Sequence, residues 1–134
     1  MAFGVATVLT SVGKAITAKR MIGATPAQIT PNFQAIGTGA TGAARTAVIG
    51  DTALSTEVET RVSTNAITTV TTTVTNDTAQ CIQTTTATVA RSVDEAGLFD
   101  QTAVGGNMYI SATFNVVSLA IGDSIQITWK CQYT

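Results

Sequence analysis

Histidine is missing from all 134 residues. Its absence removes the commonest general base and the commonest metal ligand together. No Ser-His-Asp or Cys-His arrangement can form within the chain. Only two cysteines are present, Cys81 and Cys131, and without histidine or a third thiol they cannot make a zinc site. A disulfide between them and a pair of unbonded thiols are both open, and their apolar neighbours favour the buried thiol. Aromatic residues make up 5% of the chain, with no row of them to form a sugar-stacking platform. Charged residues are 11%, against roughly 25% in ordinary soluble domains. No apolar run reaches the length that crosses a bilayer, so no membrane-spanning helix is expected. The opening MAFGVATVLTSVGK has no cationic head before its apolar stretch, and it does not read as a secretory signal.

What the chain does have is threonine, in abundance, with Ser, Asn and Gln supplying most of the remaining polarity. So few charges give little electrostatic protection against self-association, which suits a surface that partners cover. The charges are also divided by sign. The first fifty residues hold Lys14, Lys19, Arg20 and Arg45 and no acid. The rest holds Arg61, Arg91 and Lys130 against Asp51, Glu57, Glu59, Asp77, Asp94, Glu95, Asp100 and Asp123. Such a split lets one part dock on the other, or on the next copy of the chain.

The length fits one domain with a real core. Residues 1–32 read as an N-terminal arm. Val12, Ala15, Ile16, Lys19 and Ile22 fall near helical spacing, with Ser11 as cap and Gly23 as terminator. Gly13 and Thr17 weaken that helix. Pro26 and Pro31 then impose extended backbone. A helix this short cannot bury its own apolar side, so it must fold back on the body or reach onto a neighbour. Lys14, Ile16, Lys19, Arg20, Met21 and Ile22 are its candidate interaction residues. Three cations without interleaved aromatics make specific nucleic-acid binding a poor reading, and an acidic protein surface a better one.

Residues 33–134 read as an antiparallel β domain. A short strand is expected around 33–36, then a Gly/Ala/Thr loop, a turn capped by Asp51, and a short polar stretch. Residues 61–77 are β-branched almost throughout and predict one long strand, turned by TND into a return strand from residue 78. DEAGLFD predicts a chain reversal in which Leu98 and Phe99 anchor a corner while Glu95 and Asp100 stay wet, and Gly105 and Gly106 complete it. From Met108 the alternation resumes. In SIQITWKCQYT, Ile125, Ile127, Trp129 and Cys131 face one way and Gln126, Thr128, Lys130 and Gln132 the other. Trp129 is therefore core, and Tyr109 and Tyr133 are rim positions. Without βαβ alternation the fold class is all-β: an antiparallel sandwich or barrel-like body behind an extended arm carrying a short helix.

Two acid pairs, Glu57 with Glu59 and Asp94 with Glu95, are the only candidates for carboxylate catalysis. Glycoside cleavage needs carboxyls facing across a cleft, and adjacent acids in a turn are more often solvated or capping. No alternating oxygen-ligand loop marks a calcium site at Asp94 and Asp100. GTGATG, residues 37–42, lacks the Gly-Lys-Ser/Thr ending of a phosphate loop and reads as a surface turn. No catalytic, cofactor or metal residue is assigned.

Two blocks carry a family likeness. AIGTGATGAARTAVIGDTALSTEVETRV resembles one segment of the small virion proteins of tailed bacteriophages. EAGLFDQTAVGGNMYISATFNVVSLAIGDSIQITW resembles their second segment, departing from it at MYIS, where those proteins often carry a basic residue. The resemblance implies a non-enzymatic structural part of a particle assembled in a bacterial cytoplasm. The first expectation is a capsid decoration or cement subunit, contacting the major capsid protein or other virion subunits as a homo-oligomer, trimeric or otherwise symmetric. A tail, neck or fibre component is the alternative, and a carbohydrate-binding module a remote one.

Overall fold

A computed structural model describes residues 5–23, 31–42, 44–63 and 67–133. The elements run β1 (Val5–Leu9), α1 (Ser11–Met21), β2 (Phe33–Thr38), β3 (Thr56–Ser63), β4 (Ile67–Val70), β5 (Thr78–Thr86), β6 (Arg91–Phe99), β7 (Met108–Leu119) and β8 (Ser124–Gln132). They form a five-stranded sheet in the order β1-β7-β6-β2-β3 and a three-stranded sheet in the order β4-β5-β8. Every pairing is antiparallel. The two sheets enclose the main core, making the sandwich-like body that the alternation predicts. Ile36, Val93, Leu98, Ile110 and Phe114 enter it from one sheet, Cys81 and Trp129 from the other.

Between the sheets lies a polar connection. The Trp129 indole Nε1 donates to Gln34 Oε1 at 2.9 Å, and Gln34 Nε2 donates to Thr85 Oγ1 at 2.9 Å. All three residues are buried. Each polar atom named has a partner, so the connection fixes how one sheet sits over the other without the penalty of an unpaired amide.

The N-terminal segment takes the first of the two courses open to it: its described part folds back on the body. β1 pairs with β7 from Val5↔Phe114 to Leu9↔Ile110. Thr10, not Ser11, caps α1, accepting from the Gly13 amide at 3.1 Å. Ser11 is occupied elsewhere, donating from both its amide and its hydroxyl to the Ile49 carbonyl. Gly13, which counts against a helix on propensity, is what lets α1 lie against β7: a Cβ there would run into the Tyr109 carbonyl. Thr17 bonds back to the Gly13 carbonyl and out to the Tyr109 hydroxyl. Gly23, at φ +71, ends the helix as expected. Of the two prolines, only Pro31 is among the described residues.

Three strand expectations change. Residues 61–77 are not one strand: β3 ends at Ser63, β4 is four residues long, and 71–77 form a loop around Asp77. The short polar stretch expected after Asp51 is strand β3. DEAGLF is no reversal but most of β6, an inner strand between β7 and β2. Leu98 and Phe99 are deeply buried on opposite faces of it, Leu98 in the inter-sheet core and Phe99 in a second cluster with Ala35, Leu54 and Met108. The reversal comes later, at residues 100–107. There Asp100 accepts from the amide and the side chain of Asn107, both at 2.8 Å, and Gly105 and Gly106 take left-handed φ.

Candidate functional site

The acids singled out in the sequence are consumed by the fold. Asp94 accepts from the amides of Ala40 and Gly42 at 3.1 and 3.0 Å. Glu95 accepts from the Thr56 amide at 3.1 Å and from Arg45 Nη2 at 3.0 Å. Asp94, Glu95 and Asp100 are all buried, so the corner acids are not wet. The GTGATG turn is thereby pinned: Ala40 is buried, and Gly39, Thr41 and Gly42 hold the left-handed backbone that presents these amides.

Arg45 joins the pinned loop to itself and to the sheet. It donates to both oxygens of Asp51 at 3.2 Å, and Asp51 in turn accepts from Ser111 Oγ and the Val48 amide. Burial pushes the Asp51 carboxyl up, but the Ser111 hydroxyl, the Val48 amide and the guanidinium together hold it below the ordinary range. The second pair is equally committed. Glu57 forms a bidentate pair with the buried Arg61 at 2.7 and 2.9 Å. Arg61 lies 3.7 Å over the Phe99 ring and also bonds the carbonyls of Gln101 and Gly105. Glu59, in the left-handed region at φ 63, turns toward the β5–β6 connection, where it meets Arg91 and Thr88. These carboxylates bind backbone amides, hydroxyls and guanidinium groups, an arrangement that locks loops. No cluster of three metal-ligating side chains occurs among the described residues.

One cavity of about 540 Å³ opens beneath α1, where the sheets part. Ile16, Leu98, Ile110, Cys81 and Trp129 form its apolar walls, with Thr17, Tyr109 and Tyr133 also on its lining. Neither cysteine is in a disulfide. Burial pushes the Cys81 thiol up, only partly opposed by the Gln83 amide, so it is poor in nucleophilic thiolate. Burial and the Tyr109 hydroxyl likewise push the Tyr133 phenol up. Tyr109 is buried rather than at the rim, while Tyr133 stays half-exposed. Trp129 is core, as the alternation predicts.

The interaction residues named on α1 divide. Ile16 turns inward to the core. Lys14, Lys19 and Arg20 are on the exposed part of the helix. Met21 and Ile22, at its C-terminal end, are 82% and 81% exposed. Met21 and Ile22 thus form an exposed apolar pair at the end of α1, next in the chain to Lys19 and Arg20. Sequence reasoning did not find Arg45 or Ser111, whose partners lie up to 60 positions away. Comparison with protein-family models, with curated proteins and with solved structures finds no match.

Proposed function

We propose that this chain is a structural protein of a bacteriophage particle, most simply a decoration subunit that strengthens the head by bridging neighbouring capsid subunits. The observation that carries the reading is the exposed end of α1. Met21 and Ile22 offer apolar area there, Lys19 adds an exposed positive charge beside them and Lys14 another further along the helix, on a chain otherwise poor in charge. That combination fits an acidic shell surface with an apolar recess. Two further features support it. The candidate catalytic acids are tied into internal bonds, as a rigid brick needs, and the two sequence blocks resemble virion proteins. A cement subunit acts by burying area across joints between shell subunits, so the shell is harder to pull apart while it is bound.

The test is add-back to particles stripped of this chain. Wild-type protein is expected to bind and to raise the temperature at which the particles release their genome. Met21→Asp with Ile22→Asp is expected to remain folded, because both side chains already stand in water, and to bind at least about tenfold more weakly. Raising salt is expected to weaken binding by screening these positive charges. Full binding by the double variant would overturn the role given to α1. Attachment only at a tail or neck would move the protein to that part of the particle.

A further inference from the structure

Among the described strands, four form the edges of the two sheets: β1 and β3 in one, β4 and β8 in the other. An open edge offers unpaired amides and carbonyls to any passing strand, and proteins normally blunt it. Three of these edges are blunted. Over the described residues β1 pairs along five positions and β4 along four. β3 carries Glu57, Glu59 and Arg61 and a register shift between its partners Gln34 and Ile36. β8 carries only one such device, a single lysine. It runs nine residues, Ser124–Gln132, with no proline, no glycine, no register shift and one charge, Lys130.

The hydrogen bonds at its two ends fix which backbone groups face outward. The Tyr133 amide donates to the Asp77 carbonyl, and the Ala87 amide donates to the Asp123 carbonyl. Residues 123 and 133 therefore point toward β5. Between them the register is unbroken, so the odd-numbered residues point there too. The backbone groups of Ser124, Gln126, Thr128, Lys130 and Gln132 point the other way. Among the described strands, none pairs with that side of β8.

We infer that this edge is a self-association site, where β8 of a second copy pairs antiparallel across a two-fold axis at Thr128. The strand is complementary to itself in that register. Thr128 meets Thr128, Gln126 meets Lys130, and Ser124 meets Gln132, so every outward amide and carbonyl finds a partner. The two Lys130 side chains stand on opposite sides of the axis, each across from a neutral glutamine. An axis at Lys130 would oppose two cations, and an axis at Gln126 would leave Lys130 and Gln132 unpaired. The result is a continuous six-stranded sheet, and the low overall charge adds little repulsion between copies. The inference does not depend on the particle role and would hold for the isolated protein.

Sedimentation equilibrium on the purified chain tests it, with wild type, Thr128→Pro and Thr128→Lys compared and each fold checked by circular dichroism. Wild type is expected at twice the 13.7 kDa chain mass at micromolar concentration. Proline removes an outward amide that no described strand uses, so the monomer keeps its fold while dimerisation weakens about tenfold or more. If proline nevertheless disturbs β8, the lysine variant carries the test, because it places two cations across the axis at an exposed position. Thr128→Cys with Cys131→Ser is expected to form an interchain disulfide on oxidation, since paired Cα atoms there fall within disulfide reach. A monomeric wild type, a trimer, or folded variants that dimerise like wild type would each overturn the inference.

Discussion

Replacing Glu95 by alanine takes away the acid that joins the pinned loop to the middle of the larger sheet. The Glu95 side chain is wholly buried, and its two oxygens serve the Thr56 amide and Arg45. Its carboxyl end also packs over Gly37, so truncation leaves a void as well. Leaving the Thr56 amide without an acceptor costs about 1–3 kcal/mol. Breaking a fully buried ion pair costs about 3–5 kcal/mol. Here the Arg45 side chain is 29% exposed and keeps Asp51, so the ionic share is well below that range. Together the loss is about 3 kcal/mol, which lowers the Tm of a domain this size by about 10 °C. Glutamine keeps an acceptor for Thr56 and loses only the charge, so Glu95→Gln is expected to cost about half as much. Trp129, the only tryptophan and a buried one, reports unfolding by fluorescence. An alanine variant melting within about 2 °C of wild type would refute the reasoning, because that is the scale of a neutral surface change.

Leu98 and Phe99 point into different cores, so their alanine variants are expected to lose about 2–5 and about 3–5 kcal/mol in urea unfolding. The losses are expected to be nearly additive, and strong coupling would contradict their separation onto two faces. Acid unfolding follows from depressed carboxylates. Asp51 titrates low for the reasons given above, and Asp77 lower than usual chiefly because the Val74 amide, then those of Thr72 and Thr73, bond its charged form. Both folded pKa values lie below the unfolded ones, so their stabilisation is present above about pH 4 and is lost as pH falls through the folded values. Urea midpoints are expected to drop across that window, and Asp51→Asn to flatten the drop.

The parts of the fold with strict alternation were legible from sequence. In β8 the period of two correctly places Ile127 and Trp129 inward and Gln126, Thr128 and Lys130 outward, because only one of its faces meets a core. The alternation logic fails for β6, which is buried on both faces. There acids and a glycine imitate a turn, and only the distant amides of Ala40, Gly42 and Thr56, with Arg45, explain how carboxylates survive inside a sheet. Gly13 misleads for a related reason, since its helix cost is local while the close approach to Tyr109 that it permits is tertiary. In the sequence Met21 and Ile22 belong to one candidate segment with Lys14, Ile16, Lys19 and Arg20. Ile16 was not separable from it, because which side of a short helix faces the body depends on the β7 surface beneath.

The most direct measurement is quantitative mass spectrometry of purified phage particles, with the copy number of this chain set against that of the major capsid protein. The decoration role predicts the chain in every intact particle at hundreds of copies, in a fixed ratio to the shell subunit. Particles that mature and remain infectious without containing the chain would contradict it.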